Sequence, residues 1–290
     1  MIGLVAFDLD GTVLTAKNEA SETSLDAIRA LIARGIVVAS ISGRNVGNSQ
    51  RPFAADPELA RIFYFGCYNG SVVLSSETNG RRELLHEERL PGEIFWEAID
   101  YIDRRQLSFI YCGCEIGSEN IQETYIADRN SESVEALVEL VGLDMACDER
   151  LISRIRKKEL RPPPKLIVLP GTENRDQILG EMKEVFADRA YLSATGEDRL
   201  ELMHRDVNKG FALQAVAEVC GVSIDETLAV GDGDNDLPML QKAGVGVLLE
   251  SADEATLRAA RDSGIHLGES FEAEGFAKAV LHYALSEKTD

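Results

Sequence analysis

Ile2-Gly3-Leu4-Val5-Ala6-Phe7-Asp8-Leu9-Asp10-Gly11-Thr12 is the stretch whose reading decides the fold. The run from Ile2 to Phe7 is short, continuous and rich in strand formers, which suits a strand covered on both faces, as in a parallel sheet. It stops at Asp8. Two aspartates one residue apart, followed by a glycine that frees the backbone to turn, offer oxygen ligands to a hard cation at the carboxyl end of that strand, where open α/β sheets place their ligands. By itself the Asp-Gly pair reads equally well as a strand-ending turn.

Outward from this stretch, Ser21 to Ala33 carries Leu25, Ile28, Leu31 and Ile32 at helical spacing, Gly35 is a stop, and Ile36 to Ile41 is a second apolar run. Strand, helix and strand in about forty residues make a right-handed βαβ unit. Ile62 to Phe65 leads through Asn69-Gly70, a hairpin signal, to Val72–Leu74. The alternation returns at Asn208: a helix to Cys220, a strand Thr227 to Val230, a helix Asp236 to Ala243, a strand Val245 to Leu249, and helices Asp253 to Ala260 and Glu272 to Leu285. Between Leu85 and Leu200 the texture changes, with helices expected at Glu93–Arg105 and Ser133–Val141 and strands at Leu107–Cys112, Leu166–Leu169 and Ala190–Ser193. Pro162-Pro163-Pro164 marks a stiff connection there. The expected fold is α/β: a Rossmann-like, doubly wound parallel sheet from residues 1–84 and 201–290, with an inserted α+β domain over 85–200.

Length agrees, since 290 residues suit about two domains. The chain is 44% hydrophobic and 28% charged, an ordinary globular balance. Thirty Lys and Arg against fifty Asp and Glu give a formal charge of −20, which repels nucleic acid and anionic lipid. No apolar run reaches the roughly 18 residues of a membrane span, and the start carries no basic leader, so a cytoplasmic protein, monomer or homodimer, is expected. Five scattered cysteines with no C-x-x-C pair signal neither a disulfide framework nor a zinc site. Cys112-Gly113-Cys114 reads as packing, and His86, His204, His266 and His282 have no ligand spacing.

A second acidic segment, Gly231-Asp232-Gly233-Asp234-Asn235-Asp236, also follows an apolar run, Leu228 to Val230. Close aspartates repel by about 1 kcal/mol per pair in water and several-fold more near protein, and a divalent metal resolves this. An EF-hand is excluded, because the sixth position is Leu237 rather than Gly and the twelfth is Ala243 rather than Glu. Ile41-Ser42-Gly43-Arg44 ends the second strand with a hydroxyl and free N–H groups, an anion cradle or a plain helix N-cap. Lys209 begins a helix, where a positive charge opposes the macrodipole, and an anionic ligand nearby would explain it.

In this order, the four segments resemble the haloacid dehalogenase superfamily of phosphohydrolases, and the long insertion resembles its Cof-like branch of sugar phosphatases. Asn69-Gly70 and Glu274-Gly275-Phe276 also resemble that branch, with Phe276 in place of the usual Val. His204 and Arg205 stand where small residues or Pro are more typical, which weakens any carry-over of substrate preference. The resemblance implies that Asp8 is the nucleophile; a carboxylate is ionised at pH 7 and needs no partner base. It also implies Mg²⁺ held by Asp8, Asp232 and the backbone carbonyl of Asp10, with Asp236 completing the metal site. Asp10 would protonate the leaving group and then activate water. Thr12, Ser42, Gly43, Lys209 and Asn235 would serve phosphate binding or the loops around it. The implied activity is hydrolysis of small phosphomonoesters. Alternatives are a phosphotransferase or phosphomutase sharing the aspartyl-phosphate step, or a non-catalytic phospho-aspartate signalling protein. Substrate choice would lie with the insertion, where Arg150, Arg154, Arg156, Lys157, Lys158, Arg161 and Lys165 face only Glu159 in the sequence. That run reads either as a solvated helix face or as a contact for an anionic substrate.

Overall fold

The computed structural model describes residues 1–15, 17–117, 120–141 and 145–286. The chain divides into two compact units, Met1–His86 with Asn208–Asp290, and Glu87–Val207. Its strands in chain order are β1 (Leu4–Phe7), β2 (Val37–Ile41), β3 (Tyr64–Cys67), β4 (Val72–Leu74) and β5 (Leu84–Glu87). Then come β6 (Ser108–Ile116), β7 (Ile121–Ala127), β8 (Ala146–Cys147), β9 (Lys165–Leu169), β10 (Ala190–Thr195) and β11 (Arg199–His204). The last three are β12 (Thr227–Gly231), β13 (Val245–Leu249) and β14 (His266–Gly268). Among the described residues one sheet runs β14-β13-β12-β1-β2-β3-β4-β5 and the other β10-β11-β9-β6-β7-β8.

β1 is parallel to both neighbours, Phe7 lying opposite Val230 of β12 and Ser40 of β2. All four of its residues are buried, as its apolar composition requires. Phe7 meets the rings of Phe63 and Phe276 edge-on, at 5.9 and 5.2 Å between centroids. The chain runs outward from β1 through β2 to β3 on one side and through β12, β13 and β14 on the other. The strand order therefore reverses beside β1, and in such sheets the crevice at the carboxyl ends of the central strands is the ligand site. The helix Lys209–Cys220 packs Ala212, Leu213 and Val216 into a core that includes Ala6, Ala39 and Ile41.

The second sheet is antiparallel apart from the β7–β8 pair. Phe109, Tyr111, Leu166, Val168, Leu200 and Leu202 alternate onto one face and share a core with Phe95, Ile99, Leu151, Ile155, Met182 and Phe186 of the helices. The divisions at 86/87 and 207/208 lie two and seven residues beyond those read in the sequence, 84/85 and 200/201, the second of which falls inside β11. β11 is hydrogen-bonded between β9 and β10, and so carries the second unit past residue 200.

The basic run Arg150–Lys165 is opposed by acids distant in sequence as well as by Glu159. Arg154 pairs with Asp148 and Glu159 at 2.9 and 3.1 Å, Arg156 with Asp100 and Asp103 at 2.8 and 2.9 Å, and Arg161 with Glu115 at 3.2 Å. Lys165 forms a buried 2.7 Å pair with Glu201, and Lys158 lies over the Trp96 ring. Arg154, Arg156 and Arg161 of this segment are therefore each neutralised by ion pairs. All five cysteines are free, and burial pushes the Cys112 and Cys114 thiols up to about 12, which makes them unreactive. Among the described residues no helix is long and apolar enough to cross a membrane.

Candidate active site

Asp8 follows β1 directly, its amide donating to Val230 O of β12 at 3.0 Å. The chain then turns back, and Leu9 O accepts the amides of Val13 and Leu14 at 3.0 and 2.9 Å. Gly11 sits in this turn at φ +73°, and a β-carbon there would overlap the Asp232 carboxylate. Only glycine allows both the left-handed conformation and the close approach. Thr12, fully buried, donates its hydroxyl to Asp232 Oδ1 at 3.1 Å. The hydroxyl thereby ties the first acidic loop to the second.

The buried Lys209 ammonium lies 2.6 Å from Asp8 Oδ1 and 2.7 Å from Asp236 Oδ1. Two carboxylates thus lie against this lysine at a helix start. Asp236 is fully buried, and its other oxygen accepts the amides of Asp232 and Gly233, both at 2.9 Å. With both oxygens engaged, Asp236 anchors Lys209 and the acidic loop, whereas Asp8 and Asp232 retain free coordinating capacity.

Electrostatics point the same way. Burial pushes Asp8 up to about 8 against the pull of Lys209, with Asp236, Asp232 and Asp10 adding to the rise. Asp232 is raised to about 6, first by burial and then by Asp236. Burial alone would lower Lys209, but Asp236 and Asp8 carry it above its ordinary value. One carboxylate oxygen from each of Asp8, Asp232 and Asp236 lies within 4.8 Å of the others. A cluster of hard oxygen donors in which two carboxylates resist ionisation lacks positive charge, and a Mg²⁺-type cation fits that deficit.

Asp10 is exposed, and Arg44 grips its carboxylate in a fork, Nε donating to Oδ2 at 2.7 Å and Nη2 to Oδ1. The register explains the meeting, since Phe7 lies opposite Ser40 and both residues lie just beyond those strand ends. Ser42 is buried at the end of β2, its hydroxyl accepting the Arg44 amide at 3.2 Å. Gly43 lies against the Asn69 side chain, and Asn235 Nδ2 donates to Asn69 Oδ1 at 3.2 Å. Thus Asp8, Thr12, Lys209, Asp232 and Asp236 form one bonded cluster, while Ser42, Gly43 and Asn235 meet around Asn69. Sequence reasoning gave no role to Arg44 or Asn69. Their signals were a cation directly after the Ser-Gly turn, and an Asn-Gly pair read as a hairpin mark and as part of the family resemblance.

A family model described as haloacid dehalogenase-like hydrolase matches residues 5–279. An HMP-PP phosphatase of Escherichia coli O6:H1 is 27% identical over 254 residues, spanning 87% of this chain and 85% of its own. The crystal structure of TM0651 from Thermotoga maritima superposes with a TM-score of 0.81 at 22% identity, covering 100% of both chains. The sugar phosphatase BT4131, of HAD subclass IIB, gives 0.75 at 16% identity over 98% of this chain and 99% of its own. Both structures share the fold of this protein. Since the family match runs from β1 through both units to the last helix, the chain is an enzyme of the haloacid dehalogenase-like hydrolase family.

Proposed function

We propose that the protein is a Mg²⁺-dependent phosphatase that hydrolyses small phosphomonoesters, sugar phosphates or related phosphometabolites, through phosphorylation of Asp8. The observation that carries this reading is the buried Lys209 ammonium shared by Asp8 and Asp236 beside Asp232. Relatives named as an HMP-PP phosphatase and a sugar phosphatase support the substrate class. The free thiols suit the reducing cytoplasm.

Asp8, Asp232 and the Asp10 backbone carbonyl would hold Mg²⁺, which when bound would supply the positive charge that offsets repulsion between the carboxylate and a phosphate. Lys209 fixes one Asp8 oxygen, and its charge together with that of the cation would hold the carboxylate ionised for attack. As the Asp8 oxygen bonds to phosphorus, the bond from phosphorus to the leaving oxygen breaks, and Asp10 gives that oxygen a proton. Asp10 then takes a proton from a water that attacks the same phosphorus, releasing inorganic phosphate and restoring Asp8. Arg44 holds both oxygens of the ionised Asp10 carboxylate, and it would release one of them for Asp10 to take up from solvent the proton it gives the leaving group. Ser42 and the Gly43 amide hold phosphoryl oxygens, and Asn235 lines the same grip. The unit Glu87–Val207, which contains none of these residues, selects the leaving group.

Phosphate release from an aryl phosphate and a panel of sugar phosphates, with Mg²⁺ or with chelator, tests the reading. Release that needs Mg²⁺ and vanishes in a folded Asp8→Asn variant is expected. No release from any member of the panel, or full activity in Asp8→Asn, overturns it.

A further inference from the structure

Tyr68, Asn69 and Gly70 have three consecutive positive φ angles, +51°, +56° and +100°. Two of these residues carry side chains, and holding each in the left-handed region costs on the order of 1 kcal/mol. Such strain persists only where the surroundings over-determine it, and here they are the segments that grip phosphate. The Tyr68 amide donates to Arg44 O at 2.8 Å and the Asn69 amide to Ser42 O at 3.0 Å, which fastens the turn to the end of β2. The Asn69 carboxamide oxygen accepts from Asn235. It also lies over Gly43, where a β-carbon would come within 3.1 Å of it. Gly70 backs onto the carbonyl of Asn208, the residue before Lys209, and a β-carbon there would lie 2.7 Å from that oxygen. All three turn residues are buried. One turn therefore reaches three separate chemical segments, at Ser42-Gly43, at Asn235 and at the start of the Lys209 helix.

We propose that Asn69 is a positioning residue whose carboxamide sets the separation between the Ser42-Gly43 turn and Asn235, and through it the grip on the phosphoryl group; this rests on the phosphatase reading above. Ser42 and Asn235 follow strands on opposite sides of β1, and Asn235 lies four residues beyond the end of β12, so the sheet alone does not set how far its side chain stands from the Ser42-Gly43 turn. A misplacement of about 1 Å at such a site costs roughly 10²-fold in rate. The amide suits the task because it accepts from Asn235 without placing a negative charge beside the phosphate.

The test uses the full chain loaded with Mg²⁺, an aryl phosphate as substrate and orthovanadate as phosphoryl analogue. Asn69→Gly removes the carboxamide while relieving the left-handed strain, so its Tm should equal or exceed that of the wild type. Its kcat/KM should fall about 10–100-fold, with vanadate affinity falling in parallel. Asn235→Ala should cost a similar factor, and the double variant should be no worse than the poorer single one, because both remove one coupling. Asn69→Asp, which keeps shape and acceptor, should still weaken vanadate binding by adding charge, and it carries the test should Asn69→Gly melt early. Unchanged kcat/KM and vanadate affinity in Asn69→Gly, losses that multiply in the double variant, or unweakened vanadate binding in Asn69→Asp would each overturn the positioning role. If the wild type itself releases no phosphate, the phosphatase reading has failed instead, so the two failures are distinguishable.

Discussion

Asp8 makes the cation-free protein depend on pH in the direction opposite to an ordinary salt-bridged carboxylate. Burial holds it up to about 8 in the folded chain, whereas in the unfolded chain it ionises near 4. Between those values the folded state binds more protons than the unfolded one, so this contribution to stability is complete below about pH 4 and is lost as pH rises toward 8. Asp232, raised to about 6, adds to the same loss over the lower part of that window. Melting in chelator should therefore show the Tm difference between Asp8→Asn and wild type widening in favour of the variant from pH 5 to pH 8. A constant difference would mean that Asp8 ionises normally in the fold. Arg44 allows a second prediction at this scale. Lysine is a point charge and cannot reproduce the guanidinium fork on Asp10, so Arg44→Lys should blur the aim of the proposed acid. Its kcat should fall roughly tenfold with a sugar phosphate, whose alkoxide needs a proton, and much less with an activated aryl phosphate. Equal losses in a steady-state comparison of the two substrates would remove Arg44 from proton transfer.

Strands are where the sequence was most legible, because β1, β2 and β12 are apolar runs that end abruptly at Asp8, Ser42 and the Gly231-Asp232 turn. Local pattern alone marks both the strand and the place where its chemistry begins. What escaped was what only folding brings together. The Thr12 hydroxyl bonds a carboxylate 220 residues away, a meeting that no local pattern marks. Arg154 and Arg156 looked unopposed because most of their partners, Asp148, Asp100 and Asp103, lie outside the run that defined the patch. β11 was cut in two because its limits are set by pairing with β9 and β10 rather than by its own residues. The helix Leu151–Arg156 yields a prediction of its own. Exposed pairs contribute about 0.2–1 kcal/mol each, so Arg154→Ser with Arg156→Ser should lower the Tm only slightly and leave KM for sugar phosphates unchanged. A tenfold rise in KM in that double variant would give the basic face a role in binding substrate.

Each unit of the whole molecule closes its own core: the cluster around Leu4, Ile41 and Leu213 contains no residue from 87–207, and the cluster around Phe95, Tyr111 and Leu202 contains none from outside it. Replacing residues 87–207 by a short linker should therefore leave a folded core that still hydrolyses an activated aryl phosphate slowly. It should also erase discrimination among sugar phosphates, measured as the ratio of kcat/KM values across a panel. Discrimination that survives the deletion would locate selectivity in the first unit. The place of β1 between β2 and β12 also matters while the protein is being made. Thr12 and its partner Asp232 are 220 residues apart, a distance that a ribosome covers in roughly 10–40 s. For most of that interval the nascent chain carries Asp8 without Lys209, and for all of it without the complete second acidic loop, while the first strand waits for one of its two neighbours. On the proposed mechanism, a chain that stalls or is clipped anywhere before Gly231 would therefore be chemically silent, its activity switching on only when the later acidic segment arrives.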